Sequence, residues 1–351
     1  MSILISLHTI SLVPQPRPVT RRAVLGSAAC LAAAPSGLPV WAAGAGAQSW
    51  TLAGGVAMPL LALNTAGMSA DASERSVKEA YAAGIKHVDF HPGIERDGVA
   101  RALGSVPRDA MFLTTKISKP AVGTAPSAAG ELVTKQIDED LRVLGLDSVD
   151  MLMLRDSPDP VVMQAQWAAM EDALASKRTR AISTINYCEG SLSAILATAK
   201  TPPALNYIMQ HVGMGHDDSG LRAFGEKRGI RTFAYGAVGE PGPSDELLTS
   251  AVLRQIGAAH GGRSVEEVAL RWVVQGGCAV SVRPTTDFKA GASACAAGTE
   301  ACSAGLRTRA KVFDWALTPA EMRTLDAMKS PTGNPTLFSS TGCPGSFFAA
   351  K

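Results

Sequence analysis

The sequence predicts an α/β protein of the (β/α)8 TIM-barrel class, and three observations carry that expectation. From Met58 onward, short apolar runs alternate with amphipathic stretches, the order that parallel strands joined by crossover helices require. The apolar runs number eight, which suits a closed barrel. Two of the later helices mark their starts with capping boxes, Ser264 with Glu267 and Thr318 with Glu321.

In chain order, glycines at 54 and 55 between Trp50 and Pro59 predict a small hairpin that closes the barrel floor. Strands are expected at Leu60–Leu63, His87–Phe90, Met111–Lys116, Val149–Leu154, Arg180–Ile185, Ala204–Ile208, Thr232–Tyr235 and Ala279–Val282. Helices are expected between them at Asp71–Ala83, Ala129–Leu144, Val161–Ala175, Gly190–Ala199, Gly220–Arg228 and Asp245–Ala259. The two capped helices follow, before Leu270-Arg271-Trp272 and before Met322 to Leu325, the second with Pro319 at its first position. Phe90–Val99 reads as a loop, and Gly291–Gly305, rich in Ala, Gly and Ser, as a flexible insertion. Residues 46–330 thus form the barrel domain, between a leader at 1–45 and a C-terminal tail at 331–351. Leu337, Phe338, Phe347 and Phe348 are the tail's apolar anchors, for folding over the barrel mouth or for holding another protein.

With 351 residues, 46% hydrophobic and 18% charged, the chain has the composition of a folded globular protein. Its formal charge is +2, but Arg17, Arg21 and Arg22 lie in an acid-free leader, and taking those three away leaves −1. Nothing in that balance points to nucleic acid or to a membrane surface. The first acidic residue is Asp71, and the segment before it is rich in Ser, Arg and Ala, as targeting segments are. Arg21-Arg22 opens an apolar run to about Trp41, followed by small-residue cleavage options from Ala42 to Ala47. Pro35 and Pro39 break that run, which is shorter than a membrane-spanning helix needs. A second apolar stretch, Met1 to Val13, precedes the twin arginine. Two stacked signals favour a plastid and its thylakoid lumen, with a bacterial periplasm as the alternative. Either place tolerates disulfides, and Cys295 and Cys302, seven apart, are candidates to pair once Cys30 has left with the leader. No metal site is expected there, because no further ligand has zinc spacing.

In such a barrel the carboxyl ends of the strands face the active-site mouth. They carry Asp89, Lys116, Arg155, Asn186, Tyr207 and Tyr235. His211 and His216 with Asp217 and Asp218 invite a metal reading, but their setting is an ordinary barrel loop.

From Met58 to Met328 the chain resembles the aldo-keto reductases. The resemblance rests on Met58-Pro59-Leu60-Leu61, Gly84 to Asp89, Leu113-Thr114-Thr115-Lys116, Leu146 to Asp150, Arg180-Ala181-Ile182, Asn206, Ala234-Tyr235, Leu270-Arg271-Trp272 and Val312 to Trp315, in the family's order. It implies carbonyl reduction by hydride from NAD(P)H. In that family a tyrosine protonates the nascent alkoxide, a lysine and an aspartate tune the tyrosine, and a histidine orients the substrate. The proton matters because hydride arrival leaves charge on the carbonyl oxygen. Asp89 matches the aspartate and Lys116 the lysine. Ile94 stands at the tyrosine position, in a segment one residue short before Gly98-Val99, and Arg155 stands at the histidine position.

The resemblance places the cofactor-binding set at Asn186, Tyr207, Tyr235 and Arg283. Asn186 follows Ile185 where the family has a serine-asparagine pair, and Tyr207 takes the place of a glutamine. Tyr235 matches the nicotinamide-stacking aromatic but is followed by Gly236 and Ala237. Arg283-Pro284 replaces a lysine-serine that holds the adenosine phosphate, and the glutamate-asparagine of adenine recognition falls near Thr308-Arg309. Of the nearby groups that could donate a proton instead, His91, Glu95 and Tyr207, His91 has the most suitable ordinary pKa, near 6.5. Asp89 and Lys116 can also persist as a structural ion pair, and Arg155 either binds an anion at the mouth or pairs with Asp89. The leading expectation is a degenerate reductase, weakly active or inactive, with NADP binding weak or lost, that binds a small carbonyl compound or nucleotide or a protein partner in the lumen. The alternatives are an active NAD(P)H oxidoreductase whose proton donor is His91, and non-redox chemistry on an anion held by Lys116 and Arg155.

Overall fold

The structure is a computed structural model and describes residues 49–217, 219–237, 244–285 and 295–329. The leader, the tail and its anchors, and the start of the 291–305 insertion lie outside the described residues.

An antiparallel hairpin, β1 (Ser49–Thr51) and β2 (Ala57–Pro59), precedes the barrel. It covers the N-terminal end: the Arg231 guanidinium lies 4.8 Å over the Trp50 ring, and the Pro59 carbonyl meets His87 Nδ1 at 3.1 Å. Eight parallel strands then close in chain order. They are β3 (Leu61–Asn64), β4 (His87–Asp89), β5 (Phe112–Ile117), β6 (Val149–Arg155), β7 (Thr179–Ile185), β8 (Leu205–Met209), β9 (Arg231–Tyr235) and β10 (Ala279–Val282), with β10 bonded back to β3. The expected barrel and all eight expected strands are present, several shifted by one residue. β5 and β8 are buried along their whole length, because side chains fill one face and helices cover the other.

The helices are α1 (Ala70–Ala82), α2 (Ile94–Ala102), α3 (Pro126–Leu144), α4 (Pro160–Ala175), α5 (Glu189–Leu196), α6 (Leu221–Glu226), α7 (Ser244–Leu248), α8 (Ala251–Ala259), α9 (Val265–Gln275), α10 (Glu300–Ala310) and α11 (Pro319–Asp326). Both expected capping boxes form, on α9 and α11. Three expectations are corrected. The single helix expected over 245–259 is two, because the Ser250 hydroxyl accepts from Leu253 N–H and starts α8 afresh. The expected loop at 90–99 contains α2, and the expected flexible insertion ends in α10. In both, a glycine that reads as flexibility allows close approach instead. A Cβ on Gly98 would stand 2.3 Å from the Ala70 carbonyl oxygen, and one on Gly305 1.8 Å from that of Pro284. The disulfide Cys295–Cys302 forms as expected and ties the segment before α10 to its first turn.

Two buried polar groups brace the N-terminal half of the barrel. Asp150 accepts from Leu113 N–H, Arg108 Nη2 and Arg180 Nη1, each at 2.8 Å. His87 lies wholly buried, with Nε2 2.8 Å from Thr114 Oγ1, and burial lowers its pKa to about 4.

Candidate active site

Asp89 ends β4, and the parallel register sets it beside Asn64 of β3 and Thr114 of β5. The Lys116 ammonium, on β5, donates to Asp89 Oδ1 and to the Phe90 carbonyl at 3.3 Å. The pair is 0% and 1% exposed, so burial presses the lysine pKa down while Asp89 supports the charged form. The expected pair is therefore present and desolvated, an arrangement that needs further hydrogen bonds.

Tyr207 of β8 supplies one of them. Its hydroxyl donates to Asp89 Oδ2 at 2.8 Å, accepts from Asn64 Nδ2 at 3.0 Å and bonds to Ser281 Oγ on β10. A phenol has one proton and two lone pairs, so this hydroxyl is saturated within the barrel. Burial, with the Asp89 charge adding to it, pushes its pKa well above 10. Tyr207, expected among the cofactor-binding residues, turns its hydroxyl inward, and its ring lies between Phe233 and Tyr235 at centroid distances of 4.5 and 5.0 Å. Strand alternation is the physical reason, since the inward face of a barrel strand points at the axis.

The segment after β4 is held by Glu95 in the first turn of α2. Its carboxylate accepts from Thr65 Oγ1 at 3.0 Å, Gly67 N–H at 2.7 Å and His91 N–H at 3.0 Å, and lies 2.9 Å from His91 Nδ1. Burial opposes its ionisation, but the bonds from His91 and Gly67 win and hold its pKa low. Glu95 is thus an ionised clamp and not a proton donor. His91 is partly exposed at the mouth, its pKa lowered by burial and then by Lys116, against the pull of Glu95. Ile94 is one helical residue away from Glu95 and points outward, 65% exposed.

Arg155 closes β6 at the mouth. It does not pair with Asp89, whose two oxygens go to Lys116 and Tyr207. Its own carbonyl accepts from the Tyr187 hydroxyl at 3.4 Å. The neighbouring Asp156 pairs with Lys119 at 3.2 Å.

The implied cofactor set is turned inward as well. The Tyr235 hydroxyl donates to Asn186 Oδ1 at 2.7 Å, Ile185 is buried and offers no polar group, and Arg283 Nη1 donates to the Ala66 carbonyl at 2.6 Å. Tyr235 keeps part of its surface open. His211 Nδ1 contacts the Val212 carbonyl at 2.6 Å and His216 lies beside Arg222, and among the described residues no cluster of three His, Cys, Asp or Glu side chains gathers. No described helix is long and apolar enough to cross a membrane.

Asn64 and Ser281 escape the sequence reading, Asn64 because the first strand runs one residue past the expected Leu63 and Ser281 because it lies inside its strand. Their signal is a polar side chain in an otherwise apolar strand, which must find a partner when buried.

The Aldo/keto reductase family model matches residues 57–328. NADPH-dependent codeinone reductase 1-4 of Papaver somniferum is 27% identical over 324 residues, covering 81% of this chain and 93% of that protein. Morphine 6-dehydrogenase of Pseudomonas putida is 30% identical over 297 residues, covering 78% of this chain and 88% of that protein. Among solved structures, an aldo/keto reductase from Brucella melitensis superposes with a TM-score of 0.67 at 24% identity, covering 80% of this chain and 97% of that one. MGS-M4, an aldo-keto reductase enzyme from a Medee basin deep-sea metagenome library, gives 0.69 at 21%, with 80% and 95% covered. At those identities the structural likeness speaks for the fold alone.

Proposed function

Since this chain belongs to the aldo-keto reductase family, we propose that it is a degenerate member, a ligand-binding barrel in which carbonyl reduction is slow for want of a proton donor. One observation carries this reading: each of the chain's four tyrosines already has a partner within the protein. Tyr81 lies under the Lys86 ammonium, Tyr187 bonds the Arg155 carbonyl, Tyr207 bonds Asp89 and Tyr235 bonds Asn186. Arg155 cannot act as an acid at neutral pH, and Glu95 is held ionised. Loss of a positioned general acid slows such a reaction by about 10²- to 10⁴-fold.

The ligand class follows the named relatives, a small carbonyl compound, and NADP(H) affinity is weak because the groups that would meet the amide meet one another. The twin-arginine leader supports a thylakoid-lumen location, where such a barrel serves as a binding or assembly protein; a bacterial periplasm is the alternative.

The test is titration of the mature chain with NADPH and NADH, following nicotinamide fluorescence and melting temperature together, then steady-state reduction of an activated aromatic aldehyde. A ligand that binds only the folded state raises its melting temperature. Tight cofactor binding with turnover at an ordinary rate, about 1–10³ per second, ends the proposal.

A second reading has one observation in its favour. Glu95 engages His91 through Nδ1, which leaves Nε2 as the ring nitrogen open to a ligand. As a proton donor, His91 must be imidazolium, and its lowered pKa makes that form scarce at neutral pH. Turnover by this route rises as pH falls below about 6.5 and vanishes in His91→Ala. A flat profile and an unchanged variant exclude it.

A further inference from the structure

We propose that Arg155 is the anchor of a carboxylate-binding site at the barrel mouth, and that the ligand of this barrel is a small oxo- or hydroxycarboxylate. The inference deepens the reading of the mouth as a ligand site and rests on it, but it requires no hydride transfer.

The guanidinium stands at the carboxyl end of β6, partly buried, and among the described residues it makes no hydrogen bond or ion pair. Three carboxylates lie close enough to favour its charge, Asp89, Glu95 and Asp156, yet each is committed elsewhere. Asp89 serves Lys116 and Tyr207, Glu95 serves Thr65, Gly67 and His91, and Asp156 serves Lys119. Lys116 and Lys119 repel it, each feeling Arg155 as a like charge. A guanidinium partly withdrawn from water, with carboxylates nearby but none bonded to it directly, is costly to keep. Burial accordingly weakens its hold on the proton.

An anion from solution removes that cost. The guanidinium fork matches a planar carboxylate through two parallel N–H bonds, which a lysine ammonium cannot reproduce. Tyr235, whose charge would also favour the arginine, presents a partly open ring beside it for the organic part of the ligand. The neutral Nε2 of His91 adds an acceptor for a hydroxyl or hydrate proton. These features select a small flat acid over a bulky or uncharged compound.

The experiment uses the mature chain without cofactor and three probes: benzoylformate, its uncharged methyl ester, and inorganic phosphate. Binding is read by calorimetry and by melting temperature. Saturable benzoylformate binding is expected, with no comparable response to the ester and a weaker one to phosphate. Arg155→Gln should weaken benzoylformate binding about 10- to 100-fold, with Arg155→Lys between the two. In the absence of ligand Arg155→Gln should melt no lower than the parent, because it removes an uncompensated charge; that result also shows that the variant is folded. Equal binding of acid and ester, equal binding by Arg155→Gln, or no benzoylformate binding at millimolar concentration overturns the proposal, and tighter binding of phosphate reassigns the site to a phosphoryl group and overturns the carboxylate assignment. NADPH turnover is measured separately. Ordinary turnover with Arg155-dependent benzoylformate binding would refute the slow-reductase reading and leave this one standing.

Discussion

Replacing Tyr207 with phenylalanine isolates the hydroxyl that closes the Asp89–Lys116 site. The ring packing against Phe233 and Tyr235 is kept, while three bonds are lost, the donation to Asp89 Oδ2 at 2.8 Å, the acceptance from Asn64 Nδ2 at 3.0 Å and the contact with Ser281 Oγ. The bond to a buried carboxylate dominates, and hydrogen bonds to charged groups contribute about 1.5–3 kcal/mol. Asn64 can turn to Ser281, 3.4 Å away, which recovers part of the rest. The expected destabilisation is about 2–3 kcal/mol, or roughly 4–12 °C in melting temperature for a chain of this size. Urea unfolding at pH 7 should show a lower midpoint with an unchanged slope. Tyr187→Phe is the control, since its hydroxyl makes one long bond of 3.4 Å. A loss below about 0.5 kcal/mol in Tyr207→Phe would refute the inward hydroxyl, because surface-like substitutions fall in that range. Whatever turnover the protein has should survive the substitution; if it is abolished, Tyr207 is the acid and the slow-reductase reading falls with it.

Further outcomes follow from the same contacts. Ile94→Tyr should restore no reductase activity, because a side chain at 94 points to solvent at 65% exposure; a gain in NADPH-dependent turnover of an aromatic aldehyde would show that α2 turns in solution. His87, with its folded pKa lowered from 6.5 to about 4, contributes stability that is fully present above pH 6.5 and is lost as pH falls toward 4, about 3 kcal/mol across that window. Denaturant midpoints taken at several pH values should lose that part of their slope in His87→Asn, whatever the variant's absolute stability. Asp150→Ala should cost about 3–5 kcal/mol, because it strands Arg108, Arg180 and the Leu113 N–H together; a cost under about 1 kcal/mol, measured by urea unfolding, would mean that the clamp is ornamental. Opening Cys295–Cys302 as the double serine variant should cost about 2 kcal/mol for so short a loop, read by the same unfolding curves.

The barrel was legible because its evidence is redundant. Eight apolar runs, helix caps at Ser264 and Thr318 and a family-like order of short motifs agree, so an error of one residue in a strand such as β3 changes nothing downstream. Asp89 and Lys116 were legible for the same reason. α2 was not, because its sequence contains Gly98 and lacks a side-chain cap; the helix is held by docking on α1 and by Glu95 reaching back to Thr65 and Gly67. That miss carried the site with it. As a helix, the segment leaves Ile94 exposed and sets Glu95 inward on Thr65, Gly67 and His91. The role of Tyr207 was hidden differently: its position matched a cofactor residue, and only the closure of β8 toward β4 across the barrel reveals the hydroxyl on Asp89.

The two departures at the site are linked by the physics of burial. A carboxylate at 0% exposure has more acceptor capacity than one lysine fills, so Asp89 must find a second donor within the barrel or lose stability. Tyr207 is that donor, from β8, with Asn64 and Ser281 completing its own hydrogen bonds. The outcome is an interior layer in which every polar group of the Asp89–Lys116 pair is spent on its neighbours, above a floor braced independently by His87 and Asp150. At the mouth, where strand ends and loops decide chemistry while the layers below decide stability, Arg155 is left as the charged side chain with its guanidinium uncommitted among the described members of the site.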